Sequence, residues 1–298
     1  MRVSASMAGD ELARLRQRVA EIEGRPPVLP GEAAILPFGL GRLDRHLAGG
    51  LRRHALHEIR GATAPESVAA FGFAAAILSR LTKSDPRPVL LVAEAGSFGE
   101  TGHPYAPGLA GYGLDPRRLI LVKAKRPADA LWVFEEAIRC AGLLAVLAEI
   151  RGTPRQLDLT ASRRLALRAA ESGVMGLLLR HGSNAEPGAA DTRWHVVPRP
   201  AGTLQDFPSG IGRPAWRLDL ERNRHGPTGL FDLEWNHDDR SFVAPARPAL
   251  SLHRVPLSAD RPHPSDAARK ILAFPPAAED PARDRGEGEG GAPSRRAG

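Results

Sequence analysis

Apolar residues along this 298-residue chain recur with different periods in different segments, and the period predicts the element. Unbroken apolar runs at residues 89–93, 119–122, 143–147 and 174–179 read as strands buried on both faces, the pattern of a parallel sheet covered by helices. A further strand is predicted at 55–59, just ahead of Gly61. The segments between keep a helical spacing. Leu40, Leu43 and Leu47 make a short amphipathic helix, and residues 65–81 carry Val68, Phe71, Phe73, Ile77, Leu78 and Leu81 nearly all round. That second helix is expected to be enclosed on several sides. Others are predicted at 104–112, at 127–141 with Leu131, Phe134 and Ile138 on one face, and at 160–172. Strands alternating with helices imply right-handed crossovers and a mainly parallel sheet.

Further along, the period drops to two. Trp216, Leu218 and Leu220 alternate with Arg217, Asp219 and Glu221, as do Phe231, Leu233 and Trp235 with Asp232 and Glu234. Alternation of this kind predicts an antiparallel hairpin at one edge of the sheet, with the aromatic rings turned inward. At the other end of the chain a helix is predicted at 10–23, where Leu12, Leu15, Val19 and Ile22 form a narrow seam ended by Pro26 and Pro27. The seam suits either this chain's own core or an interface with a partner or a second copy. Past residue 245 the pattern dissolves into proline, alanine, arginine and acid, and residues 275–298 carry too little apolar surface to offset the entropy of ordering. One island at 265–274 offers Ser265 as a cap and Ile271, Leu272 and Phe274 as a docking face. The expected organisation is an N-terminal helix and linker (1–30), an α/β core of mainly parallel sheet flanked by helices (31–245), and a largely disordered tail (246–298).

Composition sharpens this in a few places. A net charge of +7 favours anionic partners, nucleic acid first, although lysine occurs only at Lys83, Lys123, Lys125 and Lys270 and the excess also fits a general preference for arginine. Lys123, Lys125 and Arg126 lie at a strand end, where parallel α/β sheets bind ligands, and Arg222, Arg224 and His225 lie at the hairpin turn. Each cluster is read as a weak phosphate contact or a solvated surface. Cys140, the one cysteine, shares the helical phase of Leu131, Phe134 and Ile138 and is expected as a packed thiol in a reducing compartment. No apolar run approaches the roughly 18 residues of a membrane span, and the start lacks an apolar signal region. A cytoplasmic protein is expected.

Strand, Gly61 and helix have the layout of a phosphate-binding loop, which needs G-x-x-x-x-G-K-[ST] so that backbone N–H groups surround phosphate, lysine neutralises it and the hydroxyl ligates magnesium. Counting from Gly61, the second glycine's place holds Glu66, the lysine's Ser67 and the hydroxyl's Val68. A carboxylate stands where phosphate would go, so no nucleotide cofactor and no ATPase activity are expected. His54 and His57 sit on the predicted strand, facing opposite sides at a spacing unsuited to a shared metal. No G-x-S-x-G or C-x-x-C pattern occurs, and no G-x-G-x-x-G stands in the strand-to-helix turn of a dinucleotide loop.

Leu47-Ala48-Gly49-Gly50-Leu51, the strand that follows, and Gly61-Ala62-Thr63-Ala64-Pro65-Glu66-Ser67 resemble the first part of a RecA-type recombinase core. The resemblance continues through Leu90-Leu91-Val92-Ala93-Glu94, residues 113–119 and 143–149, to the return strands around Trp216 and Trp235. Together with the missing lysine, it makes the chain similar to the ImuA family, RecA-like accessory proteins of an inducible mutagenesis cassette. The resemblance implies a RecA-like fold in which Glu94 and Glu149 are relics of a water-activating and a magnesium-holding acid. It also implies work by contact, as an adaptor in SOS translesion synthesis. The implied partners are an ImuB-like accessory subunit related to Y-family polymerases, an error-prone replicative-type DNA polymerase, and RecA itself. Two alternatives stay open: an ATP-dependent DNA-binding protein with a divergent loop, and a SulA-like inhibitor of cell division.

Overall fold

The computed structural model describes residues 35–94, 102, 104–182, 186–202 and 212–245. All of them lie within the unit Met1–Pro248. The seam of Leu12, Leu15, Val19 and Ile22 and the island of Ile271, Leu272 and Phe274 fall outside the described residues.

A two-stranded antiparallel ribbon, β1 (Ile35–Leu36) with β2 (Leu51–Arg52), brackets the short helix α1 (Gly41–His46). The chain then alternates β3 (Leu56–Gly61), α2 (Ala64–Leu81), β4 (Val89–Glu94), α3 (Ala106–Tyr112), β5 (Leu119–Ala124), α4 (Pro127–Ile138), β6 (Ala145–Arg151), α5 (Leu159–Ser172) and β7 (Met175–His181). It closes with four strands in succession: β8 (Thr192–Arg199), β9 (Ala215–Asn223), β10 (Gly229–Asn236) and β11 (Ser241–Val243). The main sheet has nine strands in the order β11-β10-β9-β8-β3-β7-β6-β4-β5. Pairing from β8 to β5 is parallel throughout, and β9, β10 and β11 add on in antiparallel fashion. The α/β class and the antiparallel hairpin toward one edge are as the periodicities predict.

Helices cover both faces because the crossovers reverse direction after β5. One apolar cluster joins α1, α2 and Leu109 of α3 to one side of the sheet, including Ile59, Leu147, Leu179 and the inward rings of the hairpin. The other joins Leu131, Phe134 and Ile138 of α4 and Leu165 and Ala169 of α5 to the opposite side, through Val92, Val146, Ala148, Ile150 and Leu178. Strand β3 is buried along its whole length. Rings of Phe38, Phe73, Trp194, Trp216 and Phe242 meet at centroid distances of 4.9 to 6.3 Å and pin α2 between sheet and hairpin. Trp216, Phe231 and Trp235 face the core.

Four local expectations change. Strand β5, whose composition matches the inner strands, is the outermost one, and Ile120 and Leu121 are each 44% exposed. Cys140 is exposed: helix α4 stops at Ile138, and at about 100° per residue position 140 stands roughly 200° round from Ile138, off the apolar face. Val68 points outward at 57% exposure although its helix is otherwise deeply enclosed. Strand β8 has no counterpart among the predicted elements, yet Trp194 at its centre is fully buried.

Candidate functional site

The parallel strands end together along one edge of the sheet, the place where α/β folds bind ligands. At β3 the connection to α2 is only two residues long, Ala62 and Thr63. Helix α2 already begins at Ala64, so Glu66, Ser67 and Val68 belong to its first turns and not to a loop. Gly61 permits this tight junction, because a Cβ there would lie 2.5 Å from the carbonyl carbon of Glu66 and from the nitrogen of Ser67.

Thr63 caps the helix by accepting from the Glu66 N–H at 3.4 Å, and the Glu66 carboxylate folds back to accept from the Ala62 N–H at 2.8 Å. This is a capping box displaced by one residue. Nε2 of His195, on β8, bonds to the same carboxylate oxygen at 2.8 Å. Burial alone raises the Glu66 carboxyl, but the bonds from His195 and from the Ala62 and Thr63 region outweigh it and hold the pKa below the ordinary value. An internal anion therefore occupies the Ala62 N–H at this helix N-terminus.

On the opposite face of β3, Glu58 accepts from Arg193 Nε at 2.9 Å and pairs with Arg180 at 3.5 Å. Arg180 also reaches the Gly152 carbonyl at 2.9 Å and Thr153 Oγ1 at 3.0 Å. Arg60 pairs with Glu221. These bonds tie β3 to β7, β8 and β9, and β7 to the loop that follows β6.

The two acids that resemblance assigns to a lost ATPase are not side by side. Successive side chains of a strand point to opposite faces; Glu149 lies in phase with Ala145 and Leu147, on the α2 side, whereas Glu94 is in phase with Val92, on the α4 side. Ala93, not Glu94, is the register partner of Glu149. Glu149 Oε1 accepts from His181 Nε2 at 2.7 Å; both residues are buried, and His181 Nδ1 has no hydrogen-bond partner. Glu149 also lines a cavity of about 230 Å³ with Ser67, Val68 and Phe71 of α2 and Gly102, Pro104 and Tyr105.

The two basic clusters are not brought together. Lys123, Lys125 and Arg126 stand at the C-terminal end of edge strand β5, and Arg126 is held by Asp129 at 2.7 Å. Arg222 is the last residue but one of β9, and Arg224 and His225 lie in the turn after it, at the other end of the strands, because Thr192, which starts β8, pairs with Asn223. Six strand spacings of about 4.8 Å separate β5 from β9, roughly 29 Å. His225 Nε2 is bonded to Asp191 at 2.9 Å. Both ring nitrogens of His57 are engaged, by Thr192 Oγ1 and by the Arg52 carbonyl, each at 2.8 Å, and His54 sits in the turn before β3. Among the described residues no group of three or more His, Cys, Asp or Glu could hold a metal ion. Nor is any of their helices long and apolar enough to cross a membrane. Sequence reasoning missed His195 and His181; the alternation of Thr192, Trp194 and Val196 was the one signal that could have revealed β8 and with it His195.

Fold and edge define an α/β protein of the mainly parallel, two-faced class, with a strand-glycine-helix junction closed by its own carboxylate. No family model matches the chain. It is 33% identical over 213 residues to the protein named "Protein ImuA" in two strains of Caulobacter vibrioides, an alignment covering 67% of this chain and 83% of each relative. The chain belongs to the ImuA family, which associates it with the mutagenesis cassette of that name.

Proposed function

We propose that this protein is a non-catalytic adaptor in DNA-damage-induced translesion synthesis, acting by contact with an ImuB-like accessory subunit and an error-prone polymerase. The observation that carries this reading is the junction after β3: two residues long, with its Ala62 N–H group already taken by Glu66. A triphosphate would have to displace a carboxylate braced by His195, and Ser67 and Val68 supply neither the cation nor the hydroxyl that normally hold it. RecA is a further candidate partner, and the site of action is the cytoplasm. DNA contact is secondary in this reading, since basic clusters about 29 Å apart cannot share one short run of phosphates.

Affinity purification from DNA-damaged cells tests the adaptor role. Co-purifying polymerase subunits are expected, and recovery of the division protein FtsZ in their place would overturn it. Calorimetric titration with ATP and magnesium should give no saturable heat; micromolar binding would return the chain to the ATP-dependent class.

A further inference from the structure

The cavity beside α2 has an unusual combination of walls and floor. Val68, Phe71, Pro104 and Tyr105 make it apolar and partly aromatic, while Glu149, with only 4% of the residue exposed, adds a carboxylate to the lining. Val68 and Tyr105, among the most exposed large apolar residues described at 57% and 72%, both stand at this one opening. Exposed apolar side chains gathered at a cavity mouth mark a binding surface more often than scattered ones do. Among the described residues that line the cavity, the one charged group is an acid, which repels a phosphate and attracts a cation.

We propose that this pocket receives an arginine side chain from a partner protein. Three contacts define the fit. The guanidinium pairs with Glu149, whose second oxygen is not used by His181; the methylene stem lies along Val68 and Pro104; and the planar head stacks against Phe71 or Tyr105. A buried acid gains most from a partner that brings both charge and directed N–H donors, because each is strengthened where water is excluded. An ammonium group satisfies the charge but gains less from the aromatic walls. The site's electrostatics are thereby the reverse of a nucleotide site's, with Ser67 and Val68 where a lysine and hydroxyl would have drawn anions.

The inference rests on the adaptor reading, which supplies the partner. Its test uses the full chain and small probes: N-acetyl-arginine-N-methylamide, the lysine analogue, and the neutral citrulline analogue, titrated by two-dimensional NMR. Saturable millimolar binding of the arginine probe is expected, with the citrulline probe at least ~10-fold weaker because it lacks the charge. Val68→Trp, at an exposed position that leaves the core intact, should narrow the mouth and weaken the arginine probe about 10-fold, and Glu149→Gln should weaken it as much. Equal binding of citrulline, indifference to Val68→Trp, or no binding overturns the proposal; lysine binding as tightly as arginine overturns the choice of guanidinium. Failure is separable from that of the adaptor reading: saturable ATP binding sinks the latter, whereas a chain that ignores both ATP and arginine loses only this pocket.

Discussion

Glu66 and Glu149 stand near each other at the same edge of the sheet, and their surroundings are opposite. Glu66 is satisfied from within, by a backbone N–H of its own turn and by His195 on β8. Among the described residues Glu149 has one hydrogen-bond partner, His181, and it lines a cavity. The comparison separates two uses of an acid at one sheet edge. At the junction between β3 and α2 the chain fills the space and uses the acid as a helix cap. Beside it, where no segment has closed in among the described residues, the acid is left with unused binding capacity.

The largest expected effect attacks the closed half. Gly61→Ala places a Cβ against the backbone of Glu66 and Ser67, so the junction must open; a loss of about 3 kcal/mol in urea unfolding is expected. A loss near zero would mean the junction is looser than described. Next comes the open half: His181→Ala leaves the buried Glu149 without that hydrogen-bond partner and should cost about 2 kcal/mol. Glu66→Ala, which removes the carboxylate from the turn, should cost about 1 kcal/mol, as for other lost helix caps. His181→Ala should therefore exceed His195→Ala, because Glu66 keeps the Ala62 N–H when His195 is removed. Equal losses for the two histidine variants would break the comparison.

The smallest effect is one of pH. The folded-state pKa of Glu66 lies below its ordinary value, so its bonds add stability that is fully present above the unfolded carboxyl's pKa of about 4.3. That stability is lost as the pH falls through the lower folded value. Unfolding free energy measured from pH 6 to 3 should fall less steeply in Glu66→Gln than in the wild type. Identical slopes would remove Glu66 from the titrating groups that stabilise the fold.

Much of the architecture was legible in the residues. Unbroken apolar runs and strict alternation report burial on two faces or one, and that depends on neighbours a few positions away, which is why the parallel strands and the inward rings of Trp216, Phe231 and Trp235 were readable. The empty lysine position after Gly61 and the family resemblance were readable for the same local reason.

Other features depended on where elements lie relative to one another. Strand β5 has an inner strand's composition, yet nothing local says that it ends the sheet and leaves Ile120 and Leu121 in contact with solvent. Cys140 stands about 200° round from Ile138, off the apolar face, and the helix ends at Ile138, so the thiol is exposed. Glu66 meets His195, 129 positions away in sequence, only because β8 returns to the flank of β3. Glu94 and Glu149, alike as strand-end acids, face opposite sides because strand register, not residue type, decides which face a side chain takes. The sequence by itself determined most of the elements, the glycine turn and the absent phosphate ligands, since these follow from local period and residue chemistry. Sheet order and the closeness of distant strands, which only the tertiary structure decides, brought His195 to Glu66 and His181 to Glu149 and left Glu149 lining a pocket.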